Sequence, residues 1–298
     1  MQKIIPNLWF DGAKEAIDFY VSAFPDSRII ATVKYPNSVE EGLADFQLDM
    51  AGKELTIEFE LAGTHFTAIN AGPMFKFNPS VSFMVSFDPS IEGQSSEDLD
   101  ALWARLIDGG EALMPLDEYP FSKRYGWVKD RFGLTWQLLM GETATEPWPR
   151  IMPCLMFAGD KVNKAEEAMQ YYLSVFKSSK AGTLARYAEA TGPAKAGSIM
   201  YADFNVEGQW LAVMDAGAEM DAPFNEAVSL SVNCADQAEI DYFWERLSTV
   251  PEAEQCGWCK DAYGVSWQIV PANMEELMSR PGAYSKMMQM HKLVIADF

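Results

Sequence analysis

The sequence predicts an α+β fold in which a strand–helix–strands module is used four times, two modules in each of two similar halves. Three observations predict it. The segment at 126–139, Gly-Trp-Val-Lys-Asp-Arg-Phe-Gly-Leu-Thr-Trp-Gln-Leu-Leu, returns at 257–270 as Gly-Trp-Cys-Lys-Asp-Ala-Tyr-Gly-Val-Ser-Trp-Gln-Ile-Val, with seven of the fourteen positions identical. The echo runs along the chain: 5–12 matches 152–159, 15–24 matches 167–176, and 98–106 matches 239–247 with Trp103 over Trp244. The apolar pattern also changes from strand-like to helix-like and back, in the same order, in both halves. A period this long marks a duplicated domain rather than a solenoid.

The elements follow in order. Residues 4–10 are a short apolar strand. Residues 13–24 carry Ala16, Ile17, Phe19, Tyr20, Ala23 and Phe24 at helical spacing. Residues 28–35, 55–61 and 66–69 read as strands, with Gly63 turning the chain between the last two. The order then restarts. Residues 81–87 are a strand. Residues 96–107 are a helix with Ser95 or Ser96 as N-cap and Gly109-Gly110 past its end. Three strands follow near Ala112, Tyr125 and Leu134. Equivalent elements are expected in the second half.

The halves are assigned to residues 1–140 and 151–270, each closing its own cup-shaped sheet. Residues 141–150 are polar and Pro-containing and read as a linker. Residues 271–298 form an extension without a first-half counterpart. Within it, 274–278 and 284–291 look helical, with Pro281-Gly282 between them. Met287, Met288 and Met290 suit a gap-filling helix docked on the protein.

The chain has 298 residues and is 49% apolar, enough for a core in each half. Its formal net charge of −20 excludes nucleic acid and anionic membranes as natural partners. Acidic solubility is the simplest meaning of that charge, and a cationic ligand would be tolerated. No leader-like or membrane-length apolar run is present. All four cysteines lie in the second half, so disulfides are not the scaffold and a cytoplasmic setting is expected. Cys256-Gly-Trp-Cys259 spells Cys-x-x-Cys. Its first-half equivalents are Tyr125 and Val128, and the segment reads as a strand whose third-neighbour side chains point to opposite faces. Two reduced strand residues are expected rather than a disulfide or half a zinc site.

Residues 16–20 (Ala-Ile-Asp-Phe-Tyr), 69–73 (Ile-Asn-Ala-Gly-Pro), 81–85 (Val-Ser-Phe-Met-Val), 126–130 and 133–137, with their second-half equivalents, resemble the PhnB-like family of the vicinal-oxygen-chelate superfamily. That superfamily includes glyoxalase I, bleomycin-resistance proteins and extradiol dioxygenases. The resemblance covers nearly all of both halves. It implies tandem glyoxalase/bleomycin-resistance-like domains, four βαβββ modules forming two cups. The family is labelled 3-demethylubiquinone-9 3-methyltransferase. No Gly-rich turn follows a first strand, as a doubly wound cofactor-binding sheet would need, so S-adenosylmethionine chemistry is rejected.

In metal-using relatives the first and last strands supply the ligands. The resemblance puts the first-strand position at Ile5 and Met152, and the last-strand position at Gln137 and Gln268. An aliphatic and a thioether are poor partners for a hard divalent ion, and only two histidines, His65 and His291, exist. No metal and no other cofactor is expected. Gln137 and Gln268 are expected as buried amides hydrogen-bonded across the cups.

Strand parity then assigns the linings. Leu8 and Phe10 are kept as Leu155 and Phe157 and belong to the core. Asn7 and Trp9, which become Cys154 and Met156, share parity with the ligand position. Phe59 is kept as Phe204, so Glu58 and Asp203 fall on the opposite face. The first cup therefore has Asn7, Trp9, Glu58 and Gln137, and the second Cys154, Met156, Asp203 and Gln268. Trp127 and Trp258 read as packed core aromatics. The first set, with an aromatic, two amides and a carboxylate, is the expected working site. The reading is small-molecule binding without metal. The alternative is a divalent-metal-dependent lyase, isomerase or dioxygenase. The sequence leaves open the ligand, whether there is catalysis, and whether the chain forms a homodimer.

Overall fold

The computed structural model describes residues 2–141 and 148–298. Most of the expected linker lies outside the described residues. The first module comprises β1 (Ile4–Phe10), α1 (Ala13–Ala23), β2 (Arg28–Lys34), β3 (Glu54–Leu61) and β4 (Thr64–Asn70). The second comprises β5 (Val81–Phe87), α2 (Ser96–Leu106), β6 (Glu111–Tyr119), β7 (Ser122–Lys129) and β8 (Thr135–Met140). The third comprises β9 (Ile151–Phe157), α3 (Ala165–Val175), β10 (Ser179–Arg186), β11 (Ile199–Val206) and β12 (Gln209–Asp215). The fourth comprises β13 (Val228–Cys234), α4 (Gln237–Leu247), β14 (Trp258–Lys260) and β15 (Ser266–Pro271). Helices α5 (Met274–Met278) and α6 (Ala283–Met287) lie in the extension.

The sheets do not follow the halves, which corrects the expectation that 1–140 and 151–270 each close their own. One sheet has seven strands in the order β14-β15-β13-β1-β4-β3-β2, so the first module pairs with the fourth. The other has eight, β10-β11-β12-β9-β5-β8-β7-β6, so the third pairs with the second. The joins are antiparallel: β1 on β13, with Ile5 opposite Ser231, and β9 on β5, with Met152 opposite Met84. Where β6 would recur in the fourth module there is a short 3₁₀ turn at Pro251–Ala253, which accounts for the missing strand.

Two crossover segments make the exchange. One leads from β4 to β5 and the other from β12 to β13. They hydrogen-bond each other reciprocally: Asn78 Nδ2 donates to the Pro223 carbonyl (2.8 Å) and Asn225 Nδ2 to the Lys76 carbonyl (2.9 Å). The same two amide oxygens accept from Ser80 N and Ala227 N at the starts of the next strands. Sequence repeats cannot reveal this exchange, because each strand has an equally good partner in either half.

One hydrophobic core joins α1–α4 to the inner faces of both sheets. Helix α1 turns Ala13, Ala16, Ile17 and Tyr20 inward, the i, i+3, i+4, i+7 stripe of an amphipathic helix. Helix α2 starts with a capping box between Ser95 and Asp98, and α4 starts at Asp236, whose side chain accepts from Glu239 N.

The repeated Lys-Asp-x-x-Gly-x-x-Trp motif has a structural cause. Asp130 is buried, and its Oδ2 accepts from Tyr20 of α1 (2.7 Å) and from the Trp136 indole (2.9 Å). Its Oδ1 accepts from Phe132 N and Leu134 N. Asp261 repeats the set with Tyr172, Trp267, Tyr263 N and Val265 N. Each carboxylate lies in a turn of one sheet and holds the tyrosine of a helix belonging to the other. Burial pushes both carboxyls up, against the hydrogen bonds that hold them down. Burial first, then the adjacent carboxylate, pushes Tyr20 and Tyr172 well above the usual phenol range.

The extension packs on the rest of the chain, but α6 ends at Met287, short of the helical stretch expected over 284–291. Leu277, Ala283, Leu293 and Phe298 pack with Val270, and Tyr284 packs with Tyr35 and Leu43. Among the described residues no helix is long and apolar enough to cross a membrane.

Because Tyr20 and Tyr172 stay protonated in the fold, they stabilise it below the ordinary tyrosine pKa and cease to do so as pH rises. Above about pH 10 the unfolded chain loses these protons and the folded one does not, so stability should fall by about 1.4 kcal/mol per pH unit for each. Denaturant melts at increasing pH, with tyrosinate absorbance followed in parallel, test this. Ionisation of all tyrosines before unfolding would refute it. Tyr20→Phe and Tyr172→Phe should each lower unfolding free energy by about 1–3 kcal/mol.

Candidate functional site

Each sheet has an outer face, opposite the helices, and register places the side chains on it in rows. On the seven-stranded sheet one row runs Glu58, Thr67, Asn7, Ser229, Ser266, Lys260. The next runs Ile5, Ser231, Gln268, Trp258. On the eight-stranded sheet the equivalent rows are Asp203, Ala212, Cys154, Ser82, Thr135, Lys129 and Met152, Met84, Gln137, Trp127.

The parity assignments place all eight candidates on outer faces, but the grouping changes. Asn7, Trp9 and Glu58 share their face with Gln268, not Gln137. Cys154, Met156 and Asp203 share theirs with Gln137. The last strand of each half belongs to the other half's sheet, and its glutamine goes with it. Likewise Ile5 meets Gln268, and Met152 meets Gln137, across the halves. Trp127 is buried and packed as expected, but on the outer face opposite Gln137, whereas Trp258, opposite Gln268, is only partly buried.

The two faces differ in chemistry. On the seven-stranded sheet Trp9 meets Trp258 edge-to-face at 6.1 Å between ring centroids and Phe75 at 5.0 Å. The Trp9 indole donates to the Gly72 carbonyl (2.7 Å), which fixes the ring. Gln268 Nε2 donates to Ser229 Oγ (2.9 Å) and Asn7 Nδ2 to the Ile5 carbonyl (2.8 Å). Among the described residues nothing donates to Gln268 Oε1. Lys260 pairs with Glu226 (2.8 Å) at one end of the row. Glu58, near the other end, is exposed.

On the eight-stranded sheet the glutamine is saturated. Gln137 Oε1 accepts from Tyr125 (2.7 Å) and Nε2 donates to Ser82 Oγ (2.7 Å). Around it Met84, Met152, Cys154 and Ala212 form a buried apolar cluster, and Tyr125, Trp127 and Met156 belong to another. Burial pushes the Cys154 thiol up to about 12, so it is no nucleophile at neutral pH. Asp203, unlike Glu58, is buried, and it accepts from Thr183 N (2.8 Å) and Tyr201 (2.9 Å). A Cβ on Gly182 would overlap its Oδ1, so that strand can approach only because the residue is glycine. The carboxylate pair kept in both halves therefore has split roles: one is a structural acceptor and one faces solvent.

His65 sits 3.0 Å from Glu60 on β3, and His291 lies 3.9 Å from Glu254. Among the described residues no group of three or more His, Cys, Asp or Glu side chains could hold a metal ion. Sequence reasoning missed Thr67, Ser229, Ser231 and Lys260. The parity rule that found Asn7 would have found them once β13 was known to lie beside β1.

Cys256 departs from the expected strand. It occupies a turn at φ 53°, before β14 begins. Its Sγ lies 3.7 Å from Met288 Sδ of the extension, while Cys259 points into the core. All four cysteines are free. Thiol titration should find four thiols in denatured, unreduced protein, and Cys256 should react first in the native state because the other three are buried. Two missing thiols would contradict this arrangement.

A sequence family described as 3-demethylubiquinone-9 3-methyltransferase matches residues 2–139 and 149–270. No curated protein matches the chain. Among solved structures, a putative 3-demethylubiquinone-9 3-methyltransferase, PhnB protein, from Bacillus cereus is 33% identical over 47% of this chain and 100% of its own, with a TM-score of 0.39. A protein from Pseudomonas aeruginosa is 20% identical over 46% of this chain and 95% of its own, with a TM-score of 0.36. A glyoxalase I mutant from Zea mays is 12% identical over 91% of this chain and 93% of its own. Its TM-score of 0.52 shows a shared fold.

Proposed function

We propose that this chain, which belongs to the family described as 3-demethylubiquinone-9 3-methyltransferase, binds a small molecule on the outer face of its seven-stranded sheet and transfers no methyl group from S-adenosylmethionine. We read the two outer faces as the linings of shallow cups. The observation that carries the choice of face is the contrast between the two glutamines. Gln137 is satisfied on both sides within an apolar cluster, whereas Gln268 keeps an amide oxygen without a donor beside two tryptophans. An accessible acceptor left open beside aromatic rings is what a small-molecule site presents.

In this reading the ligand packs against Trp9 and Trp258 and donates to Gln268 Oε1. Glu58, exposed in the same face, favours a cationic or hydrogen-bond-donating group. The methyltransferase alternative lacks support because both sheets are mixed, and a lone glycine, Gly12, follows β1 in place of a cofactor-binding turn. The metal-dependent alternative would need Ile5 and Gln268 to act as ligands, and an aliphatic side chain cannot. Four free cysteines suit a cytoplasmic setting.

The test is a thermal-shift screen of small molecules with and without divalent metals, alongside metal analysis of untagged protein. Stabilisation that requires stoichiometric metal would overturn the reading. For a ligand found without metal, Glu58→Gln should weaken binding about tenfold, the scale of one charge-assisted hydrogen bond. Trp9→Ala and Trp258→Ala, from opposite halves, should both weaken it. Asp203→Asn should leave affinity unchanged while lowering stability by about 1–3 kcal/mol. Loss of binding from Asp203→Asn alone would move the site to the other sheet.

A further inference from the structure

One cleft in the molecule has measurable room for a ligand. It measures about 220 Å³ and lies between the extension and the β2–β3 edge of the seven-stranded sheet. Its walls are Val33, Pro36 and Leu55 on one side and Met278, Ala283 and Tyr284 on the other. Residues 271–298, which supply one wall, lie outside the matched family segments. The cleft is firmly built. Tyr35, buried beneath it, donates to the Asn70 carbonyl (2.9 Å), and Tyr284 donates to Gln47 (2.9 Å) and meets the Tyr35 ring edge-on.

Charge gives the cleft its direction. Lys34 and Arg280 line it, in a chain of net charge −20. Among the described residues the Lys34 ammonium has no ion pair or hydrogen bond, its backbone being paired with Glu54 in the β2–β3 ladder. Arg280 has only a long contact to Glu276 (3.4 Å) in which both partners are largely exposed. The one carboxylate in the lining, Glu41, accepts from Asn37 N (2.9 Å) and Asn37 Nδ2 (3.0 Å). Two cations beside an apolar wall fit a molecule with an apolar body and an anionic end. The volume is below the roughly 300–1,000 Å³ of drug-sized pockets, which limits the body to something small.

We propose that this cleft is a binding site for a small amphipathic anion, such as a medium-chain carboxylate, with the chain against Met278, Leu55 and Tyr284 and the carboxylate at Lys34 and Arg280. It is independent of the site at Trp9 and Trp258.

Octanoate is the probe, with octylammonium and 1-octanol as controls, titrated into the full chain carrying methyl-labelled methionine. Octanoate should shift the Met278 methyl signal saturably and leave the Trp9 and Trp258 indole signals in place. Combined Lys34→Gln and Arg280→Gln should weaken binding by about tenfold or more, while an unchanged melting temperature confirms the fold. Octanol should bind more weakly and octylammonium more weakly still. No Met278 shift at millimolar octanoate would overturn the proposal. So would full affinity in the double variant, octylammonium binding as well as octanoate, or shifts confined to the two tryptophans.

Discussion

Two buried carboxylates hold the architecture together. Asp130 and Asp261 each gather a tyrosine hydroxyl, an indole N–H and two backbone N–H groups. A carboxylate removed from water is tolerable only when its acceptor sites are filled, and here each is filled by groups from different elements. The tyrosine comes from a helix of one sheet and the carboxylate from a turn of the other. Neither bond can form unless both sheets and the helices between their turns are in place. The Lys-Asp-x-x-Gly-x-x-Trp repeat is therefore a docking device, and its recurrence in both halves follows from the twofold nature of the joint.

That joint explains why the halves exchange strands without cost in local chemistry. Each βαβββ module is satisfied by any equivalent module beside it. What selects the partner is the route of the two crossover segments, locked by Asn78 and Asn225 through main-chain carbonyls. The consequence reaches the functional face. A first-half strand brings Asn7 and Trp9, a second-half strand brings Gln268, and another brings Trp258. Substitution in either half alters the same face.

Much of this was legible in the sequence, and the limits have physical causes. Helix α1, strand β5 and the N-cap at Ser95 follow from local periodicity and capping chemistry. Facing was legible too, since alternation on a strand does not depend on its neighbours: Asn7, Glu58, Cys154 and Asp203 all point as parity requires. Neighbourhood was not legible, because strand pairing is non-local and the repeats are degenerate. Gln137 and Gln268 were therefore placed with the wrong companions. Burial was not legible either. Glu58 and Asp203 hold equivalent positions, yet only Asp203 is enclosed, and Gly182 on the adjacent edge strand is what lets the backbone close over it. Tryptophan in a strand signals burial but not which face is buried: Trp127 packs as expected, on the outer face, while its counterpart Trp258 stays partly exposed there.

The difference between the two faces can be traced to a few exchanges between equivalent positions. Asn7 answers to Cys154, Thr67 to Ala212, Ser231 to Met84, and Ile5 to Met152. The first three changes remove a polar group from the eight-stranded sheet, and Ile5 to Met152 keeps an apolar one, which together favour a sealed face. Tyr125 and Cys256 complete the contrast. Tyr125 fills the acceptor of Gln137. At the equivalent place Cys256 cannot reach Gln268, and its turn instead receives the extension: Cys256 N donates to the Met290 carbonyl and Gly257 N to that of His291. The open acceptor of Gln268 and one of the contacts of the extension thus meet at the same place, where a turn cysteine stands at the position of a strand tyrosine. The cleft wall lies earlier in the extension, at 278–284, and is held separately, by Tyr284 on Gln47 and against Tyr35.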